Sequence, residues 1–238
     1  MWKCPRNGCH ALRSIKTGSI FANSKLPLWK AVRLLHLWAN GNSATCVGKE
    51  LDIDGKTLVD WFKLNREICS RYISDWRVPI GGEGVYVEID VILCHNVSMS
   101  KKQWVFGGVH RGHAKDMFLV CVPNKASETL LSVITENVAP GSIIVSKQLT
   151  AFDEISELQG YNYTHLTVDP TNPIHHIETI ESIWSCVNKM YKKIQRVQSK
   201  NSNEHFASYL DQFLFYTHYP LPSTFGNFLH WIGFYHPL

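Results

Sequence analysis

Between Leu28 and Trp38 the apolar residues Leu28, Val32, Leu35 and Trp38 recur at helical spacing, and Gly41 ends the run. Ser43 is placed to cap a second helix reaching Leu51. Asp52 to Gly55 supply a turn, and Leu58, Trp61, Phe62 and Leu64 carry a third helix from Lys56 to Ile68. Three helices joined this way form a helix-turn-helix pattern. The period then changes. Three strand-like runs, Val85–Cys94, Gln103–Arg111 and Met117–Pro123, follow with polar turns between them, as an antiparallel meander requires. A helix over Ser127–Val138 is followed by a strand at Ser142–Ser146, a short helical stretch near Ala151–Leu158 and a strand near Tyr163–Val168. A long helix from about Ile177 to Val197 comes next. That order predicts an α/β fold, a mixed sheet flanked by helices. A further helix is expected near Asn203–Tyr216.

The shift between the two patterns falls at Pro79 and the Gly81-Gly82 pair, which read as a linker. The expected organisation is therefore a Cys/His-rich head at 1–21, a helix-turn-helix region at 22–76, a linker at 77–84, a sheet-bearing domain at 85–218 and a tail at 219–238. The tail is rich in aromatics and proline, and its sequence suggests no function beyond covering the core.

Composition narrows the class. With 45% hydrophobic and 18% charged residues among 238, the chain can bury a sizeable core, which excludes disorder. A net charge of +4 is compatible with a nucleic-acid partner without requiring one. Seven cysteines, odd in number and mostly inside apolar segments, read as reduced thiols of an intracellular protein, nuclear if the source is eukaryotic. No apolar run approaches the roughly 20 residues a membrane span needs, so no membrane partner is expected.

Two acids stand out against their surroundings. In Val85-Tyr86-Val87-Glu88-Ile89-Asp90, alternation puts Tyr86, Glu88 and Asp90 on one face and Val85, Val87 and Ile89 on the other. A carboxylate this deep in an apolar strand lies at a solvated edge, pairs with a base, or binds a metal ion. On the long helix, Ile177, Ile180, Trp184, Val187, Tyr191 and Ile194 form an apolar stripe. Glu181 falls within it and is expected to face the sheet, or to sit at the edge of the stripe; Glu178 faces water. Together Asp90 and Glu181 form a candidate metal pair.

The blocks "VEID", "QWVFGGVHRG", "VPNKASETLLSVITENVAPGSIIVS" and "HHIETIESIWSCVNK", with "TGSIF" and "SKLPL" upstream, resemble successive blocks of Merlin-type and bacterial insertion-sequence transposases of the DDE class. The resemblance runs from about Trp2 to about Phe215. It implies a ribonuclease-H-like fold and metal-dependent cleavage and transfer of DNA strands. In that chemistry three acidic residues hold two divalent ions, Mg²⁺ or Mn²⁺, one activating the attacking oxygen and the other stabilising the leaving one. By motif, Asp90 matches the first acid and Glu181 the third. The second acid follows the "GSIIVS" strand, where this chain has Lys147.

An ammonium in place of a carboxylate changes the local charge by two units beside sites meant for dications, so metal binding is expected to be weakened. The lysine can instead pair with Asp90 and Glu181, leaving a folded but catalytically silent core. The competing expectation is an active site completed by Asp153 or Glu154. A third is a copy without selected function, or one used for protein association. The stretch Val91–Lys102 also departs from the family, lacking its acidic neighbour and basic residues.

DNA, transposon ends in the family, is the expected partner, and a homo-oligomer is compatible with that role. Lys56, Thr57, Lys63 and Arg66 of the third helix are candidates for major-groove contact, with Asp60 opposing. A three-helix packing module is the alternative. Lys189, Lys192, Lys193, Arg196 and Lys200 form a basic run that can follow a DNA backbone or simply be solvated. Cys4 and Cys9 look like the second half of a truncated zinc ribbon. Two thiols and His10 do not close a tetrahedral site, so zinc is not expected.

Overall fold

A computed structural model of the chain describes residues 2–96, 99–169, 171–172, 175–197 and 205–237. It forms two compact units, one of residues 1–72 and 219–238, the other of residues 73–218.

The first unit opens with an antiparallel pair, β1 (Trp2–Lys3) and β2 (Leu12–Arg13). Helices α1 (Leu28–Ala39), α2 (Ala44–Leu51) and α3 (Gly55–Asp75) follow, the last turn of α3 lying beyond the unit. Ser43 caps α2 by accepting the amide hydrogen of Cys46 at 3.2 Å. Asp52, at φ 50°, turns the chain between α2 and α3, and Asp54 accepts both the amide N–H (2.9 Å) and the hydroxyl (2.6 Å) of Thr57. Ala31, Leu34, Leu35, Trp38, Val47, Leu58 and Ile68 bury the facing sides of these helices.

The second unit begins with β3 (Ile80–Gly81), β4 (Tyr86–Asn96), β5 (Met99–His110) and β6 (Met117–Val122). Helix α4 (Ser127–Asn137), β7 (Val138–Ala139) and β8 (Ile143–Ser146) come next. Two 3₁₀ turns, Thr150–Phe152 and Ile155–Glu157, stand where the sequence suggests one short helical stretch. Then follow β9 (Thr164–Thr167), α5 (Glu178–Val197) and α6 (Phe206–His218). The start of α6 expected at Asn203 lies outside the described residues.

The main sheet has the order β6-β5-β4-β8-β9. β5 runs antiparallel to β4 and β6, while β4, β8 and β9 are mutually parallel. Counted as five core strands this is 3-2-1-4-5 with the second reversed, the ribonuclease-H-like arrangement. Alternation along β4 decides what each face holds. Val87 and Ile89 join Phe106, Phe118, Leu130, Ile134, Ile144 and Phe152 in a core covered by α4 and the first 3₁₀ turn. Each such side chain contributes roughly 1.5–3 kcal/mol when fully buried. Glu88 and Asp90 face the opposite way, toward α5.

The segment 219–238, to which the sequence reading assigns no element, holds a helix, α7 (Thr224–Tyr235). Its Phe228 and Trp231 pack within the first unit, at ring-centroid distances of 4.6 Å from Trp38 and 4.8 Å from Tyr72. Helical spacing of Thr224, Phe228, Trp231, Ile232 and Tyr235 carries the signal, masked in the sequence by aromatics on the other face.

Candidate active site

β4 and β8 place the first two positions of the site. Their parallel register pairs Val87 with Ile144 and Glu88 with Val145, and continuing it by two residues sets Lys147 beside Asp90. Both side chains lie on the face that α5 covers. Lys147 Nζ is 3.5 Å from Asp90 Oδ2 and 2.7 Å from Glu181 Oε1, so the ammonium bridges the two acids.

Asp90 is held from three sides. Its Oδ1 accepts the amide hydrogen of Val91 at 2.9 Å, and its Oδ2 accepts the indole N–H of Trp184 at 3.1 Å besides facing Lys147. Burial nevertheless dominates and lifts the carboxyl above its usual 3.8, against the charge of Lys147 and these hydrogen bonds. Lys147 moves upward from 10.5, chiefly through its hydrogen bond to Glu181 and against some desolvation. The ammonium is therefore the persistent form.

Trp184 reaches Asp90 because β5 has no side chain in the way. Gly107 lies opposite Asp90 in the register, and a Cβ there would come within 2.8 Å of both the Trp184 ring and Leu119. The pair Gly107-Gly108 in the "QWVFGGVHRG" block is thus a packing requirement, with Gly108 making the same room for Phe118 on the other face.

Glu181 differs from the inward position expected of it. Its side chain is half exposed, because it lies one residue, about 100°, from Ile180 at the centre of the buried stripe. The bland expectation of an acid at the stripe's edge describes its burial; the long side chain still reaches Lys147 from there.

Glu88, to which the sequence pattern assigns no role, is the most buried acid of the site at 0% exposure. Its Oε1 accepts from Arg111 Nε at 2.9 Å and from the Thr179 hydroxyl at 3.1 Å, and its Oε2 accepts the amide hydrogen of Ile180 at 3.1 Å. Arg111 also donates to the carbonyl of His176 and lies over the Tyr86 ring. Glu88 therefore ties the N-terminal end of α5 to the sheet, where the helix dipole favours a carboxylate. The step from Glu88 to Asp90 along the strand, about 6.6 Å, nearly matches the step from Ile180 to Trp184 along the helix, about 6 Å. Strand and helix consequently stay in register at both anchors. The available clue was the alternation itself, which puts Glu88 and Asp90 on one face.

Asp153 and Glu154 are exposed. Asp153 acts electrostatically on His165, whose Nε2 is 2.9 Å from Ser146 Oγ. Burial lowers the His165 imidazole below its ordinary value, and Asp153 opposes this. By strand alternation His165 and Ser146 share the Ile144 face, not that of Asp90 and Lys147.

Among the described residues no group of three or more His, Cys, Asp and Glu side chains could hold a metal ion. At the site itself two carboxylates enclose an ammonium, a donor set that does not fit two bridging dications.

Of the candidates for DNA contact, Lys56 and Lys63 are exposed on α3, Lys63 lying 3.7 Å from Glu67, while Thr57 is spent on Asp54. Arg66 is a correction: at 5% exposure it is buried and is not presented to a groove. Lys189, Lys192 and Lys193 are exposed on α5. Lys200 and the side chain of Arg196 lie outside the described residues. In the head, the Cys4 and Cys9 thiols are adjacent; the Ala11 amide and then Cys4 lower the Cys9 thiol from its ordinary value.

Residues 80–217, more than half of the 238, match the ISXO2-like transposase domain. The chain belongs to that family. An uncharacterized transposase-like protein of Haemophilus influenzae is 30% identical over 98 residues, which cover 40% of this chain and 76% of that protein. Among solved structures, the catalytic core domain of BIV integrase is similar with 12% identity and a TM-score of 0.40, covering 61% of this chain and 93% of its own. The HTLV-2 integrase catalytic core domain, in a trimeric form with magnesium, gives 14% identity and a TM-score of 0.45, covering 62% and 95%. The strand order, not these likenesses, assigns the fold. The transposase family implies a divalent metal.

Proposed function

We propose that this transposase-family chain is a DNA-binding protein whose strand-cleaving core is silenced by Lys147. The observation that carries the reading is the ammonium 2.7 Å from Glu181 and 3.5 Å from Asp90. Phosphodiester chemistry of this class uses carboxylates to hold cations against the attacking and leaving oxygens. Here the corresponding space holds a cation that neither polarises water nor bridges phosphate oxygens. Of the substitute acids for an active alternative, Asp153 and Glu154, both are exposed, and Asp153 acts on His165, whose side chain lies on the opposite face of the sheet from Asp90.

DNA affinity is supported by the exposed lysines of α3 and α5 and by family membership. Assembly into a homo-oligomer on DNA and an intracellular, or in a eukaryote nuclear, location go with this reading. The experiment is selection of duplexes from a random pool by the full chain, followed by a salt titration of the winners. A preferred sequence with a steep salt dependence supports DNA binding. Equal retention of all sequences leaves backbone affinity alone, and retention of none favours a copy kept for protein association or without selected function.

A further inference from the structure

The exposed side of α5 is a single sector of mixed charge. At about 100° per residue, Glu178, Glu181, Ser185, Lys189, Lys192 and Lys193 all fall within roughly 120° of the helix circumference, and all six are exposed. A DNA strand laid along the three lysines therefore runs toward the Glu181 end of the helix, where Asp90 and Lys147 also lie.

The charge at that end decides whether a phosphate can approach. Asp90, Glu181 and a third carboxylate at 147 would sum to −3, a cluster that repels phosphates until cations bind. With Lys147 the same three positions sum to −1, two carboxylates and one ammonium. The ammonium is covalently attached and held by two acids, so it is present at any concentration of metal.

We propose that Lys147 is a built-in counter-ion, which lets DNA lie along the α5 face without divalent cations and so uncouples DNA association from Mg²⁺. The proposal rests on the DNA-binding reading above. It assigns affinity to Lys189, Lys192 and Lys193, which release counterions when they meet phosphates, and not to Lys147 itself, which its carboxylate partners neutralise. Lys147 removes a repulsion that metal ions relieve where position 147 is acidic.

The test is fluorescence anisotropy of a labelled duplex with the full chain, in EDTA and in MgCl₂ at matched ionic strength. For wild type the two Kd values agree within a factor of about two, whereas Lys147→Asp binds on the order of tenfold more weakly in EDTA and recovers in MgCl₂. Lys147→Met, close in shape and neutral, falls between them. Tightening of the wild type by Mg²⁺ to the extent seen for Lys147→Asp overturns the proposal, as does unchanged binding by Lys147→Asp in EDTA. Absence of DNA binding by every variant overturns the DNA-binding reading, and the counter-ion is then judged without DNA, by electron paramagnetic resonance of Mn²⁺. Wild type leaves the free Mn²⁺ signal intact and Lys147→Asp depletes it; depletion by wild type contradicts the counter-ion.

Discussion

Lys147 Nζ lies 2.7 Å from Glu181 Oε1, closing a three-residue bridge in which β8 and α5 are joined through the same ammonium that faces Asp90 on β4. In this transposase-family member the cluster is an internal ion pair of one ammonium and two acids. Its chemistry is then that of a structural contact, with consequences for pH, stability and DNA.

The two shifted groups act in opposite pH ranges. Asp90, raised above 3.8 by burial, stabilises the fold fully only below 3.8, and that contribution is lost as pH rises through its raised value. Asp90→Asn removes that pH dependence, so its stability relative to wild type rises from acid to neutral pH. Lys147, raised above 10.5, contributes fully below 10.5 and loses its contribution as pH rises through its raised value. Lys147→Met is less stable than wild type at neutral pH and converges on it in strong alkali. Urea denaturation across pH checks both; a stability difference between Asp90→Asn and wild type that is flat from acid to neutral pH contradicts the burial argument.

Glu88 is predicted to matter more for stability than either Asp90 or Glu181. Glu88→Ala leaves Arg111 without its carboxylate and the Ile180 amide without its acceptor, in a place closed to solvent. Breaking a buried pair by removing one partner costs about 3–5 kcal/mol. Chemical denaturation reads this directly, and a loss below about 1 kcal/mol, the scale of a surface pair, would show that Arg111 finds another partner.

On α3 the burial pattern separates two kinds of basic residue. Lys56→Gln and Lys63→Gln should weaken DNA binding with little effect on stability. Arg66→Gln should lower stability and leave the salt slope of DNA binding unchanged, because Arg66 is buried. Changing Lys189, Lys192 and Lys193 together to Gln is expected to reduce that slope by about 0.9 for each phosphate that is no longer neutralised. Salt titrations of these variants beside thermal melts separate the two classes; a reduced slope for Arg66→Gln would place it on the surface.

Much of this was legible in the residue pattern. Period two along Val85–Asp90 and period 3.6 along Ile177–Ile194 locate both acids, and the end of the "GSIIVS" strand locates Lys147 beside them. What the pattern could not supply was depth. Glu181 at the stripe's edge and Arg66 one residue from Asn65 look much alike on a helical wheel, yet one is half exposed and the other buried, because only the packed neighbours set how far each face is covered. Long-range partners were equally hidden. Glu88 binds an arginine 23 positions away and an amide 92 positions away, and no local spacing carries that information. In the last 20 residues an all-round display of aromatics concealed the helix that Phe228 and Trp231 anchor.

Whether Lys147 silences the core is decided by nicking of supercoiled plasmid in Mg²⁺ or Mn²⁺, with wild type, Glu181→Ala, Lys147→Asp and the double variant Lys147→Asp/Glu181→Ala compared side by side. The bridge of one ammonium and two acids predicts no nicking by wild type, nicking by Lys147→Asp, and its loss again when Glu181 is removed from that variant. Nicking by wild type that disappears in Glu181→Ala would contradict it, because another acid would then be completing the site that Lys147 is held to close.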